Sequence, residues 1–246
     1  MCGIVGVTGN DRSVSILIDG LKRLEYRGYD SAGIYVNDEK GHDYLVKRSG
    51  RISNLEAALT PEVKGLAGIG HTRWATHGVP SETNAHPHYS NDERFYLVHN
   101  GVIENYQQLK EEYLKGVEFK SQTDTEVIVQ LVDKFVVDYK MDTKDALLKV
   151  LRLISPDSSY AFALMDREQP DTLFVAKNKS PLLVGLCQGY NMVGSDDMSM
   201  IDETNEFMEI NDHELVIVCL LYTSDAADEG LGVDLRGRRI IKKNMG

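Results

Sequence analysis

Cys2-Gly3-Ile4-Val5-Gly6-Val7-Thr8, directly behind the initiator Met1, is the stretch on which the fold turns. Small and β-branched residues alternate along it, so Cys2–Thr8 reads as a strand. Methionine is clipped ahead of a small residue, which leaves Cys2 with both a thiol and a free α-amino group. A thiol titrates near ~8.5 and an α-amine near ~7.7–8.0, so the amine takes the thiol proton near neutral pH. Nucleophile and base are then one residue, held at a strand end. On Cys2 alone, a small buried cysteine beside a fraying terminus is an equal reading.

Outward from that strand, Val14, Leu17, Ile18, Leu21 and Leu24 recur at helical spacing. Strands are expected at Ala32–Val36 and Asp43–Lys47, a short helix at Asn54–Leu59, then strands at Leu66–His71 and Phe95–His99. Helices follow near Tyr106–Lys115, Asp124–Tyr139 and Lys144–Ile154. The later part is strand-rich, at Tyr160–Met165, Thr172–Ala176, Leu182–Leu186 and Glu214–Val218. Strands in groups, helices in groups and strands again argue for an α+β fold with layered sheets rather than a βαβ alternation.

A chain of 246 residues has ample length for a core, and its net charge of −11 disfavours nucleic acid or an anionic membrane as partner. Cys2, Cys187 and Cys219 are too few and too scattered for a disulfide framework or a cysteine zinc site. No apolar run approaches the ~20 residues of a membrane span. A cytoplasmic protein is expected, with Cys187 a strand-end core thiol.

The last stretch reads differently. Cys219-Leu220-Leu221-Tyr222-Thr223-Ser224-Asp225-Ala226-Ala227-Asp228-Glu229 matches the translation of a transposase sequencing adapter. The match resumes after an index at Val233-Asp234-Leu235 and Gly237-Arg238-Arg239-Ile240-Ile241, with Arg236 the one departure. We therefore expect a single domain over residues 2–218 and a non-native tail over 219–246, with the natural gene running on past Val218.

Four segments place polar residues and glycine where core residues would be expected: Arg27–Gly33, Gly70–Gly78, Asn84–Asn105 in part, and Ser121–Glu126. Asn100-Gly101 ends an apolar strand and reads either as a hairpin turn or as a pair of oxyanion donors. Arg73 is either a solvated strand-end residue or a bidentate carboxylate binder. Asp124 either caps the helix that follows or holds a substrate ammonium. His71, His77, His86, His88 and His99 fit no metal-ligand spacing, so structural histidines are expected, with neither metal nor cofactor.

Taken together and in this order, these segments resemble the N-terminal-nucleophile glutamine amidotransferases. Cys2-Gly3-Ile4-Val5-Gly6 marks the superfamily. Leu24–Gly33, His71–Gly78, Asn84–His88, His99–Tyr106 and Thr123–Ile128 resemble the branch whose second half is a sugar isomerase that aminates fructose 6-phosphate. The resemblance runs from Cys2 to about Val218 and implies a four-layer αββα sandwich. It implies L-glutamine as substrate, with Cys2 the nucleophile and Asn100 and Gly101 the oxyanion donors. It also implies that Arg73 binds the substrate carboxylate and Asp124 its ammonium, with Arg27, Trp74, Thr76, His77 and His86 around them. Fructose 6-phosphate would be met only through an isomerase half absent from this chain, in a parent protein expected to be a homodimer. Rival readings are the glutaminase half of another amidotransferase, an N-terminal-nucleophile peptidase, and a non-catalytic module in which Met1 is retained.

Overall fold

The computed structural model describes residues 2–38, 40–74, 78–220, 232–234 and 238–244. In chain order the first elements are β1 (Gly3–Thr8), α1 (Ser13–Arg23), β2 (Ser31–Asn37), β3 (Asp43–Ser49), α2 (Ile52–Ala57) and β4 (Ala67–Arg73). Next come β5 (His88–Tyr89), β6 (Phe95–Val102), α3 (Tyr106–Tyr113), α4 (Asp124–Tyr139) and α5 (Thr143–Leu153). The remainder is β7 (Ser159–Asp166), β8 (Thr172–Asn178), β9 (Leu183–Leu186), β10 (Asn191–Gly194), β11 (Phe207–Glu209), β12 (Glu214–Leu220), β13 (Gly232–Asp234) and β14 (Arg238–Asn244).

Among the described residues two seven-stranded sheets form, in the orders β11-β9-β10-β1-β4-β2-β3 and β13-β14-β12-β8-β7-β6-β5. β1 is central in the first, antiparallel to both β4 and β10. Its Ile4 packs between the sheets with Tyr96, Val98 and Val175, while Val5 and Val7 face the other way, onto α1. That alternation follows from the two-residue period of a strand buried on both faces. α1 returns Ile16, Leu17, Ile18 and Leu21 to the same layer, each burial contributing about 1.5–3 kcal/mol. Lys22 and Arg23 sit in its last turn, where positive charge suits the helix dipole. On the far side α3, α4 and α5 pack Leu109, Val132, Phe135 and Leu147 against Phe95, Phe162 and Phe174 of the second sheet. The layers are helix, sheet, sheet, helix: the expected αββα sandwich of α+β class.

Most expected elements are present with shifted ends. Two differences bear on the site. β6 continues to Val102 rather than stopping at His99, so Asn100-Gly101 lies within a strand, opposite Ala161 and Tyr160 of β7, and is not a hairpin turn. β4 runs through Arg73, which is 4% exposed; the solvated strand-end reading of that arginine does not hold. The short strands β5, β10 and β11 were not expected. Of the tail set aside at 219–246, β12 contains its first two residues, and β14 pairs antiparallel with β12. Residues 221–231, 235–237 and 245–246 of that tail lie outside the described residues. No described helix is long and apolar enough to cross a membrane.

Candidate active site

Pairing Gly3 with Thr72 brings Cys2 alongside the end of β4. There the Trp74 backbone cradles the thiol: its N–H donates to Cys2 Sγ at 3.2 Å, and Sγ–H donates to its carbonyl at 3.6 Å. The loop carrying Arg27 passes so close that a Cβ on Gly28 would lie 2.7 Å from the Arg73 carbonyl carbon and the Trp74 nitrogen. Burial raises the Cys2 thiol above its ordinary value, opposed by the Trp74 N–H and by the charge of Arg73.

The second half of the site comes from the other sheet. Gly101 has φ +122, and a Cβ there would meet the Ser159 carbonyl oxygen at 2.1 Å, so only glycine fits. Asn100 Nδ2 donates to the Cys2 carbonyl oxygen at 3.1 Å, tying the Cys2 backbone across the sandwich. A carboxamide nitrogen has two hydrogens, so one serves this bond and the other can serve an oxyanion. On its far side Asn100 Oδ1 accepts from His71 Nε2 at 2.9 Å.

Cys2, Arg27, Trp74, Asn100 and Gly101 line one cavity of about 270 Å³, together with Val102, Ser180 and Pro181. The last three were not anticipated, because nothing local in Lys179-Ser180-Pro181 signals chemistry and only the fold brings it here. Asp196, also unforeseen, holds Arg27 in place through Nη2 at 2.9 Å and shares its Oδ2 with the Tyr26 hydroxyl. Burial alone would raise the Asp196 carboxyl; the Met198 N–H, Asp197, Tyr26 and Arg27 outweigh it and hold it low.

Arg73 and Asp124 are both buried, and Arg73 lies within electrostatic reach of Cys2, Asp30 and Asp124. Burial lowers the Arg73 guanidinium from its ordinary value against those three opposing charges. Asp124 does not cap α4. Thr123 occupies the cap position, and the Asp124 carboxylate instead accepts from the Ile103 N–H at 2.8 Å, pinning the chain just beyond the Asn100-Gly101 pair. Thr76 and His77 lie outside the described residues.

His86, expected around the substrate, is not in the cavity wall. It is 5% exposed, stacks on His71 at 4.1 Å, and accepts the His99 N–H at Nδ1. His88 and His99 bond Thr123 and Thr125 at the start of α4. Burial lowers all four of these histidines, so their rings are neutral at physiological pH. Among the described residues, no three metal-ligating side chains converge.

The arrangement combines a cradled thiol and a carboxamide donor with a buried cation, Arg73, and a buried anion, Asp124, within electrostatic reach of one another. Such a set suits attack on an amide of a small zwitterion. Comparison with known proteins agrees. Residues 61–231 match the family model described as a glutamine amidotransferase domain. The chain is 63% identical over 218 residues to a glutamine–fructose-6-phosphate aminotransferase (isomerizing) of Lactiplantibacillus plantarum, covering 89% of this chain and 36% of that protein. It is 59% identical over 242 residues to the Streptococcus pyogenes enzyme of the same name, covering 98% of this chain and 38% of that one. The chain thus spans little more than a third of the length of these relatives. Among solved structures, the glutamine phosphoribosylpyrophosphate amidotransferase of B. subtilis superposes over the whole chain with TM-score 0.78 at 26% identity, covering 49% of that protein. A class-II glutamine aminotransferase domain protein from silicibacter pomeroyi shares the fold, with TM-score 0.58 at 14% identity over 99% of each chain.

Proposed function

The chain belongs to the glutamine amidotransferase family, and from that premise we propose that it hydrolyses L-glutamine to glutamate and ammonia through a Cys2 thioester. Removal of Met1 frees the Cys2 amine, which accepts the thiol proton through a water molecule as sulfur attacks the glutamine carboxamide carbon. The tetrahedral oxyanion is held by the free hydrogen of Asn100 Nδ2 and by the Gly101 N–H. Ammonia leaves with the proton held by the amine. Water then adds to the γ-glutamyl thioester, releasing glutamate and restoring the thiol. Arg73 meets the substrate carboxylate and Asp124 its ammonium, with Arg27 and Trp74 beside the ligand and Thr76 and His77 assigned to substrate binding as the family resemblance implies. A simple amide has neither carboxylate nor ammonium for Arg73 and Asp124 to meet, which costs it several kcal/mol of binding relative to glutamine.

One observation carries this reading above the others: Asn100 bonds the Cys2 carbonyl while both line the same cavity. In the parent protein the ammonia would pass to a sugar-isomerase half that converts fructose 6-phosphate to glucosamine 6-phosphate, in a cytoplasmic homodimer. The support is the pair of relatives of that name. We assign residues 2–218 to the glutaminase domain and regard 219–246 as a non-native extension.

The test is the intact mass of the purified chain with and without the γ-electrophilic glutamine analogue 6-diazo-5-oxo-norleucine. Loss of Met1 and one stoichiometric adduct, abolished by Cys2→Ala, are expected. Retained Met1, or no adduct after its loss, would favour a non-catalytic binding module.

A further inference from the structure

Four histidines lie buried in one cluster, and the chemistry above uses none of them: His71, His86, His88 and His99. The His71 ring reaches a cavity side chain, with Nε2 2.9 Å from Asn100 Oδ1. A carboxamide is nearly symmetric in shape but not in polarity. As it sits, Asn100 turns Nδ2 to the Cys2 carbonyl and Oδ1 to His71, and both ends are satisfied. Turned over, Oδ1 would oppose the Cys2 carbonyl oxygen, acceptor against acceptor, and the cavity would receive an oxygen where a donor is needed.

The ring itself has one consistent tautomer. Nε2 lies between two oxygens, Asn100 Oδ1 and the His99 carbonyl at 3.1 Å, so it carries the hydrogen. Nδ1 is buried with no hydrogen-bond partner among the described residues. Stacking on His86, with 15° between the ring planes, fixes the direction in which that N–H points. Burial pushes the His71 pKa down to about 3, so the ring keeps a single donor at working pH.

Resting on the glutaminase reading, we propose that His71 is a positioning residue whose Nε2–H holds the Asn100 carboxamide the right way round, so that it presents an N–H to the reacting carbonyl oxygen. The Cys2 carbonyl sets the same orientation from the opposite end, but it belongs to the residue whose amine and thiol react. His71 supplies the restraint that stays fixed through the cycle.

Side-chain length separates this role from mere packing. His71→Gln places an amide N–H where ring Nε2 stood; His71→Asn reaches only the place of the bare Nδ1; His71→Leu supplies no donor. For glutamine hydrolysis, the Leu and Asn variants are expected to lose about 10- to 100-fold in kcat, less than the outright loss of an oxyanion donor, with KM changed by less than about 3-fold. The Gln variant should stay within about 3-fold of the parent chain. In an Asn100→Ala background the same substitutions should change kcat by less than about 2-fold, because the group they orient is gone. Equal losses for Gln and Asn, a loss confined to KM, or additive losses in the double variants would overturn the proposal. Long-range 1H–15N spectra of the unsubstituted chain give a readout independent of turnover. A neutral His71 ring protonated at Nε2 is expected, and a proton on Nδ1 overturns the inference. A chain that releases no glutamate sinks the glutaminase reading instead, and the tautomer then decides this one.

Discussion

Asp124 does two jobs with one carboxylate: it accepts from the Ile103 N–H and supplies negative charge within reach of Arg73. The two are separable by substitution. Asp124→Asn keeps an oxygen for Ile103 but loses the charge that would meet a substrate ammonium. KM for glutamine should therefore rise at least about 10²-fold, as expected for an unmet buried charge, while the melting temperature changes little. A melting temperature that falls in step with activity would show that the carboxylate matters chiefly to the backbone. The residue types at this scale were legible: Cys2, Arg73, Asn100 and Asp124 stood out as polar groups, and Gly101 as a glycine, where core residues would be expected. Their local readings were less so. Asp124 reads as a helix cap by sequence distance from the apolar run, yet Thr123 has the extended backbone that a cap requires and Asp124 is the first helical residue.

β6, β7 and α5 are fastened to one another by a single buried carboxylate. Asp166, at the end of β7 and 0% exposed, accepts from Arg94 Nε and Nη2 at 3.0 Å each, from the Thr143 hydroxyl at 2.6 Å and from the Glu168 N–H at 3.0 Å. Burial alone would raise its pKa; the bonds from Arg94 and Thr143 outweigh it, and the carboxyl is held below its ordinary value. A depressed carboxyl stabilises the fold above the unfolded value of about 3.9, and that contribution disappears as pH falls through the lower folded value. Asp166→Ala leaves Arg94 and Thr143 without their acceptor and should cost about 3 kcal/mol near neutral pH in urea denaturation. The deficit should shrink as pH drops below about 4; a pH-independent deficit would assign the loss to packing instead. At this scale periodicity located the long helices and apolar strands well. It missed β5, β10 and β11, which are two to four residues long and too short to show an alternation.

Pairing of β1 with β10 brings together residues nearly two hundred positions apart, as when the Ser195 hydroxyl accepts the Ile4 N–H close to Cys2. All five cavity residues named from sequence lie within the first 101 positions, whereas Ser180 and Pro181 arrive from the link between β8 of the second sheet and β9 of the first. The described residues build one αββα sandwich, and the chain spans little more than a third of the length of its aminotransferase relatives. The chain by itself is therefore expected to release glutamate from glutamine yet form no glucosamine 6-phosphate when fructose 6-phosphate is added. Appearance of the amino sugar, assayed by mass, would place a sugar site within these residues. The sequence by itself determined the class of fold and singled out Cys2 as the candidate nucleophile with a set of polar candidates around it, because alternation, helical spacing and an N-terminal cysteine are local properties. Only the tertiary structure decided that Asn100-Gly101 is strand and not turn, that Asp196 anchors Arg27, and that His86 stands behind the cavity rather than in it. Each of those depends on which strand pairs with which and on what lies across the sheet interface, and hydrogen-bond register between distant segments leaves no periodic trace in the chain.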